Sequence, residues 1–202
     1  AVFMIAPVDH AKAAAPTTLK QGSMNGDVWD LQFRLNTIGY YNQTLDGVFG
    51  YGTTDALRRF QLNYGLSVDG VAGPKTWATL KKVSVNRNEL EILAKTIHGE
   101  ARGEPYEGQV AVAAVVMNRV QSPLFPNTVS GVVFQPRAFT AVDDGQYYLT
   151  PNATSYKAAL DAVRGWDPTN GALYYFNPIT ATSKWIWTRQ QTDKVGKHIF
   201  AM

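Results

Sequence analysis

The chain has 202 residues, 45% hydrophobic and 17% charged, with 19 Lys and Arg against 16 Asp and Glu. That length allows two small domains or one of moderate size. The net charge of +3, with no Lys/Arg run, leaves no nucleic-acid footprint and only a mild pull toward anionic polymers. The absence of cysteine removes disulfides, thiolate metal sites and cysteine nucleophiles, and no apolar run reaches the roughly 18 residues of a membrane span.

The opening AVFMIAPVDHAKAAAPTT is apolar and then rich in small residues. This is the texture of a signal-peptide tail, with AKA at 11–13 as a cleavage pattern, or of a disordered end. Residues 1–21 are read as a leader and the protein as exported. An internal repeat follows: DGVFGYGTTDAL begins at Asp46 and DGVAGPKTWATL at Asp69. In each copy Asp-Gly makes a turn, a second Gly lets the chain double back, and a helix begins. Thr53 or Thr54 is placed to cap that helix in the first copy, and Pro74 suits a first helical position in the second. Apolar stripes of period 3.6 predict helices over 27–38 (Val28, Leu31, Leu35, Ile38), 54–64 (Leu57, Phe60, Tyr64) and 74–82 (Trp77, Leu80). Each is too short to stand alone, so residues 22–82 should form a three-helix unit. Residues 83–88 read as a short linker that lets the two units touch.

The second unit, 89–202, opens with a helix over 89–101, with Asn88 as cap and Glu91 near a capping-box position. A helix over 107–121, EGQVAVAAVVMNRVQ, is apolar nearly all round and should be buried. A short helix is expected over 127–134 and another over 152–165, capped by Asn152 or Thr154 and stopped by Gly165. Then ALYYF (172–176) and KWIWTRQ (184–190) read as antiparallel strands, and KHIF (197–200) as a third. The predicted class is mainly α, of the α+β kind, with a small antiparallel sheet.

Glu100 raises the chemical question. On a helical wheel it falls about 20° from Leu93 and continues the apolar stripe, while His98 lies off it. A carboxylate among apolar neighbours is poorly solvated, so its proton is held more tightly. Such an acid can protonate the leaving oxygen of a glycosidic bond. The spacing also allows Glu100 to fray out at the helix end or pair with Arg102. Metal chemistry finds little support, since His98 and His198 are far apart in sequence and HGE is not an i,i+4 ligand pair. Neither a GxSxG elbow nor a phosphate loop is present. No cofactor or metal is expected. The aromatic residues crowd the C-terminal third. Strand alternation puts Trp185 and Trp187 on one face and Tyr174 and Tyr175 on opposite faces.

Two resemblances join these readings. Residues 22–82, with LQFRLNTIGYY, DGVFGYGT and FQLNYGLSVDGVAGPKTWATL, resemble the peptidoglycan-binding repeat domain, a three-helix module that holds enzymes on cell walls. Residues 88–202 resemble the catalytic domain of spore cortex-lytic enzymes and related bacterial cell-wall hydrolases. That resemblance rests on IHGEARGEPYEGQVAVAAVVMNRV, FPNTVSGVVFQPRAF, ALDAVRG, DPTNGALYYFNP and GKHIF. It implies a lysozyme-like fold and lytic cleavage between muramoyl and glucosaminyl residues, leaving an anhydro-muramoyl end. It also implies that Glu100, in EARGE, is the general acid/base. The polar linker is shorter than in the cortex-lytic enzymes, which suggests action on vegetative or sporulation wall.

Supporting roles are expected for Gln109, hydrogen-bonding near Glu100, and for Phe139, Tyr175 and Trp185, lining a groove. Asp143 and Asp144 are the candidates for a second acid, and Glu104 would orient Glu100 or cap the next helix. The expected partner is the peptidoglycan glycan strand, met by a monomer. The rival readings are a hydrolytic muramidase and a non-catalytic wall-binding protein.

Overall fold

The computed structural model describes residues 17–202, so most of the leader, including the AKA pattern, lies outside the described residues. Residues 17–21 do not behave as leader. Leu19 pairs through its backbone with Ala72, and its side chain is buried in the first core.

That core is made by α1 (Gly26–Thr37), α2 (Tyr51–Asn63) and α3 (Pro74–Val83), whose apolar stripes meet through Leu31, Leu35, Leu57, Phe60, Trp77 and Leu80. The starts differ from expectation. Asn25 caps α1 through its side chain, and α2 begins at Tyr51 after Gly50, with Thr53 and Thr54 inside the helix. Pro74 stands at the first position of α3, as its fixed φ favours.

The repeat has a three-dimensional counterpart that its spelling did not reveal. Buried Gln32 reaches into the first Asp-Gly loop: its Nε2 donates to Asp46 Oδ1 (2.8 Å) and Val48 O (3.1 Å), and its Oε1 accepts from Gly47 N (3.0 Å). Gln61 does the same in the second, with Asp69 Oδ1 (2.8 Å), Val71 O (3.0 Å) and Gly70 N (2.9 Å). Gly47 and Gly70 hold φ of 72° and 71°, the left-handed region that only glycine enters cheaply. Each glutamine satisfies a turn that would otherwise bury bare backbone groups.

Little linker separates the units. Ser84 and Val85 are buried, and α4 (Arg87–Ala101) starts at once. The capping box is Asn86 with Glu89, two residues earlier than expected. Glu91 is instead hydrogen-bonded by the Tyr156 hydroxyl. Glu89 Oε2 also lies 3.1 Å from Arg34 Nη1 of α1, Arg164 Nε donates to Thr37 O (3.2 Å), and Ile38 packs on both cores.

In the second unit, α5 (Tyr106–Gln121) is buried on nearly all sides, as its composition predicts. α4 and α8 (Ala153–Val163, capped by Asn152) pack against it, with the short helices α6 (Val129–Val133) and α7 (Thr140–Asp143) beside them. Its remaining face, Ala111 and Val115, meets Val195 and Phe200 of the sheet. The sheet is antiparallel in the order β1 (Tyr174–Phe176), β3 (His198–Ala201), β2 (Gln191–Val195). The expected class is therefore observed, but the strand over 184–190 is not. Residues 186–188 form a 3-10 turn, and the second strand starts at Gln191. The aromatic, β-branched texture of KWIWTRQ comes from Trp185 and Trp187 folding back onto Tyr174 and Phe176, with ring centroids 5.2 and 4.7 Å apart. Side-chain packing, not a β ladder, selected those residue types.

Candidate active site

Glu100 stands in the last turn of α4, half-buried, where the apolar stripe carries it inward. Two donors reach it. Ala141 N, in the first turn of α7, donates to Oε1 at 2.6 Å, and the Tyr175 hydroxyl donates to Oε2 at 2.8 Å. Phe139, at the N-cap of α7, has no side-chain acceptor, so the Glu100 carboxyl supplies from another helix what a capping residue would.

Close helix approach makes this possible. A Cβ at Gly99 would stand 2.5 Å from Ala141 Cβ, so only glycine lets α7 come within hydrogen-bond reach of Glu100. Tyr175 arrives from the other side. On β1 its neighbour Tyr174 turns toward Phe125 and Trp185, while Tyr175 packs near Phe139, His198 and Phe200, the opposite facing that alternation predicts.

Burial raises the pKa of Glu100 above the ordinary carboxylate value. The Ala141 N–H and Tyr175 O–H favour the anion and pull it back, while the charges of Asp144 and Asp143 add a further rise. The net direction is upward. Burial and the Glu100 charge push the Tyr175 hydroxyl well above its usual value, so it stays protonated and remains a donor.

Glu100 opens on a cleft of about 650 Å³, walled by Tyr175, Arg119, Arg137, Asn177, Trp185 and His198, with the hydroxyls of Thr180, Thr182 and Ser183 along the 177–186 loop. Glu100 is the one carboxylate lining it among the described residues. Asp143 and Asp144 are exposed and do not line it, and Asp144 accepts from the backbone and side chain of Gln146.

Of the residues expected at the site, Glu100, Tyr175 and Trp185 come together here, with Trp185 52% exposed on the wall. Gln109 and Phe139 do not line the cleft. Gln109 is buried at the start of α5, where its Nε2 donates to Glu104 O (3.3 Å). Phe139 is buried behind Tyr175, with ring centroids 6.3 Å apart, and supports the wall from the core. Glu104 neither touches Glu100 nor caps α5. Its Oε2 accepts from Lys197 N (3.0 Å) and pins the β2–β3 turn.

Sequence reasoning missed Arg119, His198 and Asn177. Arg119 left a signal, as a cation in a helix otherwise apolar on nearly every face. His198 and Asn177 left none, because their place depends on how the sheet and its loop fold back. Among the described residues no group of three His, Asp or Glu side chains is arranged to hold a metal ion.

A cell wall hydrolase family model matches residues 103–201, starting just past Glu100, and a peptidoglycan binding domain model matches residues 25–80. The spore cortex-lytic enzyme of Bacillus cereus is 49% identical over 229 aligned positions, covering 95% of this chain and 88% of that protein. The chain belongs to the spore cortex-lytic enzyme family. The alignment is longer than the chain, so this family member carries residues with no counterpart here. The crystal structure of the catalytic domain of the Bacillus cereus SleB protein is 67% identical, with a TM-score of 0.57, covering 59% of this chain and 93% of that one. The catalytic domain of the germination-specific lytic transglycosylase SleB from Bacillus anthracis is 68% identical, with a TM-score of 0.56, covering 58% and 97%.

Proposed function

We propose that the protein is an exported peptidoglycan lytic transglycosylase acting on cell-wall or spore-cortex glycan, with Glu100 as its single catalytic carboxyl. The first unit holds the wall and the second cuts the bond between muramoyl and glucosaminyl residues. The carrying observation is a poorly solvated carboxyl in a cleft that no other carboxylate of the described residues lines. The family, and the activity named for the Bacillus anthracis relative, support the same reading.

In its protonated form Glu100 gives its proton to the glycosidic oxygen as the C1–O bond breaks and the glucosaminyl residue leaves as an alcohol. The carboxylate then takes the proton of the muramoyl 6-hydroxyl as that oxygen bonds to C1. This closes a 1,6-anhydro ring and returns Glu100 to its starting state. One residue serves as acid and then base, so neither a water nor a carboxylate nucleophile is needed. A hydrolase would place a second carboxylate opposite the first, about 5–9.5 Å away. Tyr175 and Ala141 N hold the carboxyl in place and stabilise it once it has lost its proton.

The test is mass spectrometry of fragments released from purified sacculi and from spore cortex. Anhydro-muramoyl ends are expected from the wild type and none from Glu100→Gln. Reducing muramoyl ends would make the protein a muramidase. Inertness of both proteins on every wall type would favour the wall-binding reading.

A further inference from the structure

The proposed reaction uses Glu100, Tyr175 and Ala141 and leaves two charged groups of the cleft, Arg119 and Arg137, without a task. Arg119 is 7% exposed and lines the cleft that holds Glu100. Its Nε donates to Leu173 O at 2.7 Å, and its guanidinium lies 5.1, 5.3 and 5.7 Å from the rings of Phe125, Phe139 and Tyr174. Among the described residues no carboxylate stands within ion-pair distance of it. Neither terminal nitrogen is hydrogen-bonded within the described protein or sealed from solvent, and Arg119 lines the cleft.

Burial lowers the pKa of Arg119, yet a guanidinium stays charged at any working pH. A charge so placed is costly unless something answers it, and three aromatic faces answer only in part. Arg137 lines the same cleft and holds φ at 62°, a left-handed conformation that non-glycine residues seldom adopt. Among the described residues neither arginine has an ion-pair partner, and Glu100 is the one carboxyl that lines the cleft with them.

We infer that Arg119 is a specificity-determining residue that receives the acyl oxygens of the lactyl group on the muramoyl residue. This rests on the glycan-cleaving reading above. A peptidoglycan strand offers hydroxyls and N-acetyl carbonyls on every sugar, but a lactyl acyl group only on alternate ones. That group presents a carboxylate when free and an amide carbonyl when a peptide is attached. The planar guanidinium fork matches a carboxylate in two-pronged fashion and can also donate to a lone carbonyl.

The position suits the chemistry. The lactyl ether sits on the same ring as the C1–O bond that breaks, so its receptor must lie within about one sugar of the proton donor. Neighbouring residues of β1 join the two groups, with Tyr174 beside Arg119 and Tyr175 holding Glu100. Arg119 thereby selects which of the two alternating glycosidic bonds faces Glu100.

The test is calorimetric binding to the full chain carrying Glu100→Gln. The probes are chitotetraose, a glycan tetrasaccharide with free lactyl carboxylates, and the same tetrasaccharide with stem peptides. The lactyl-bearing probes should bind about tenfold or more tightly than chitotetraose, the size of one charge-assisted hydrogen bond. Adding Arg119→Met should bring that ratio near one, and because the wall-binding unit is unchanged between variants, the difference belongs to the cleft. Loss of the ratio for the free-carboxylate probe alone assigns an ion pair, and loss for both assigns the shared acyl oxygen. Circular dichroism checks the fold. Should Arg119→Met not fold, Arg119→Lys, which keeps the charge and loses the fork, should lower the ratio several-fold. A ratio that survives in the folded variant, or is absent before Arg119 is changed, overturns the assignment. Sacculi that release no glycan ends from the wild type while the ratio stands would overturn the transglycosylase reading and leave Arg119 in place.

Discussion

Gly99→Ala tests whether close approach of two helices builds the site. The new Cβ would stand 2.5 Å from Ala141 Cβ and 3.4 Å from the backbone of Gln146 and Tyr147. Ordinary carbon contact begins near 3.4 Å, and Ala141 Cβ is fixed to backbone, so α7 must retreat by roughly 1 Å. The Ala141 N–Glu100 Oε1 hydrogen bond, 2.6 Å long, would then stretch to about 3.5 Å, where it no longer counts as one. Overpacking costs about 1–3 kcal/mol, or roughly 2–12 °C in a chain of this size. A displacement of 1 Å at a reacting group lowers kcat by about a hundredfold. Losing a donor to the anion also raises the Glu100 pKa further. Activity that needs the protonated acid should therefore persist to higher pH in the variant than in the wild type. The assays are muropeptide release against pH and thermal unfolding, with Gly103→Ala as control because nothing lies within 4 Å of a Cβ there. Wild-type rate and melting temperature in Gly99→Ala, or equal losses in the control, would refute the reasoning.

Tyr175→Phe keeps the ring in its contacts and removes the hydroxyl on Glu100 Oε2; kcat should fall about tenfold, the alkaline limb should move upward, and unfolding should cost only about 1 kcal/mol. Glu100→Gln should stabilise the fold at neutral and alkaline pH. A carboxyl with a raised folded-state pKa binds its proton more tightly when folded, so it loses stability as pH rises from the unfolded value through the folded one. Melting curves from pH 3 to pH 9 should show that gain vanish below the unfolded value, and a constant gain would refute it. Gln61→Leu should cost about 3 kcal/mol in denaturant unfolding, because Gly70 N and Val71 O lose their partner in a buried loop. Cleavage of short soluble glycans should be unchanged by it at temperatures where the variant is folded.

Periodicity located the helices of both units because their stripes are continuous and local, and it set Glu100 on the inward face. The wheel position of one residue against Leu93 was enough to raise the question of its protonation. The cap of α4 lies two positions before the expected one because both Asn86 and Asn88 have the right chemistry; Glu89, which also meets Arg34 of α1, favours the earlier one. The strand assigned to 184–190 failed for a related reason. Residue types that favour a pleated surface also favour packing on one, and Trp185 and Trp187 do the latter. For Gln109 and Phe139 the sequence does not say whether a side chain faces a cleft or the core behind it, and both face the core. The buried glutamines of the first unit escaped notice because their spacing to the two loops differs, 14 residues for Gln32 to Asp46 and 8 for Gln61 to Asp69.

Local structure and function pull Glu100 in opposite directions, and the magnitudes show why the compromise holds. A carboxylate in the last turn of a helix faces the negative end of the dipole, an unfavourable interaction of about 0.3–1 kcal/mol, and burial adds to that. Two donors offset part of this, each charge-assisted bond contributing about 1.5–3 kcal/mol in favour of the anion. In the proposed cycle, with both present, the anion is tolerated after the proton has gone to the sugar. Burial and two aspartates oppose them, and the net shift of the Glu100 pKa is upward. An acid that must also serve as base needs this near-balance, because strong stabilisation of either form would stall one half of the cycle. Gly99 and Tyr175 set it from opposite sides, one by admitting α7 and the other by donating from β1. Removing either donor should shift the balance in the same direction, toward a better acid reservoir and a poorer base. In the proposed reaction, removing both should therefore slow ring closure more than departure of the glucosaminyl residue.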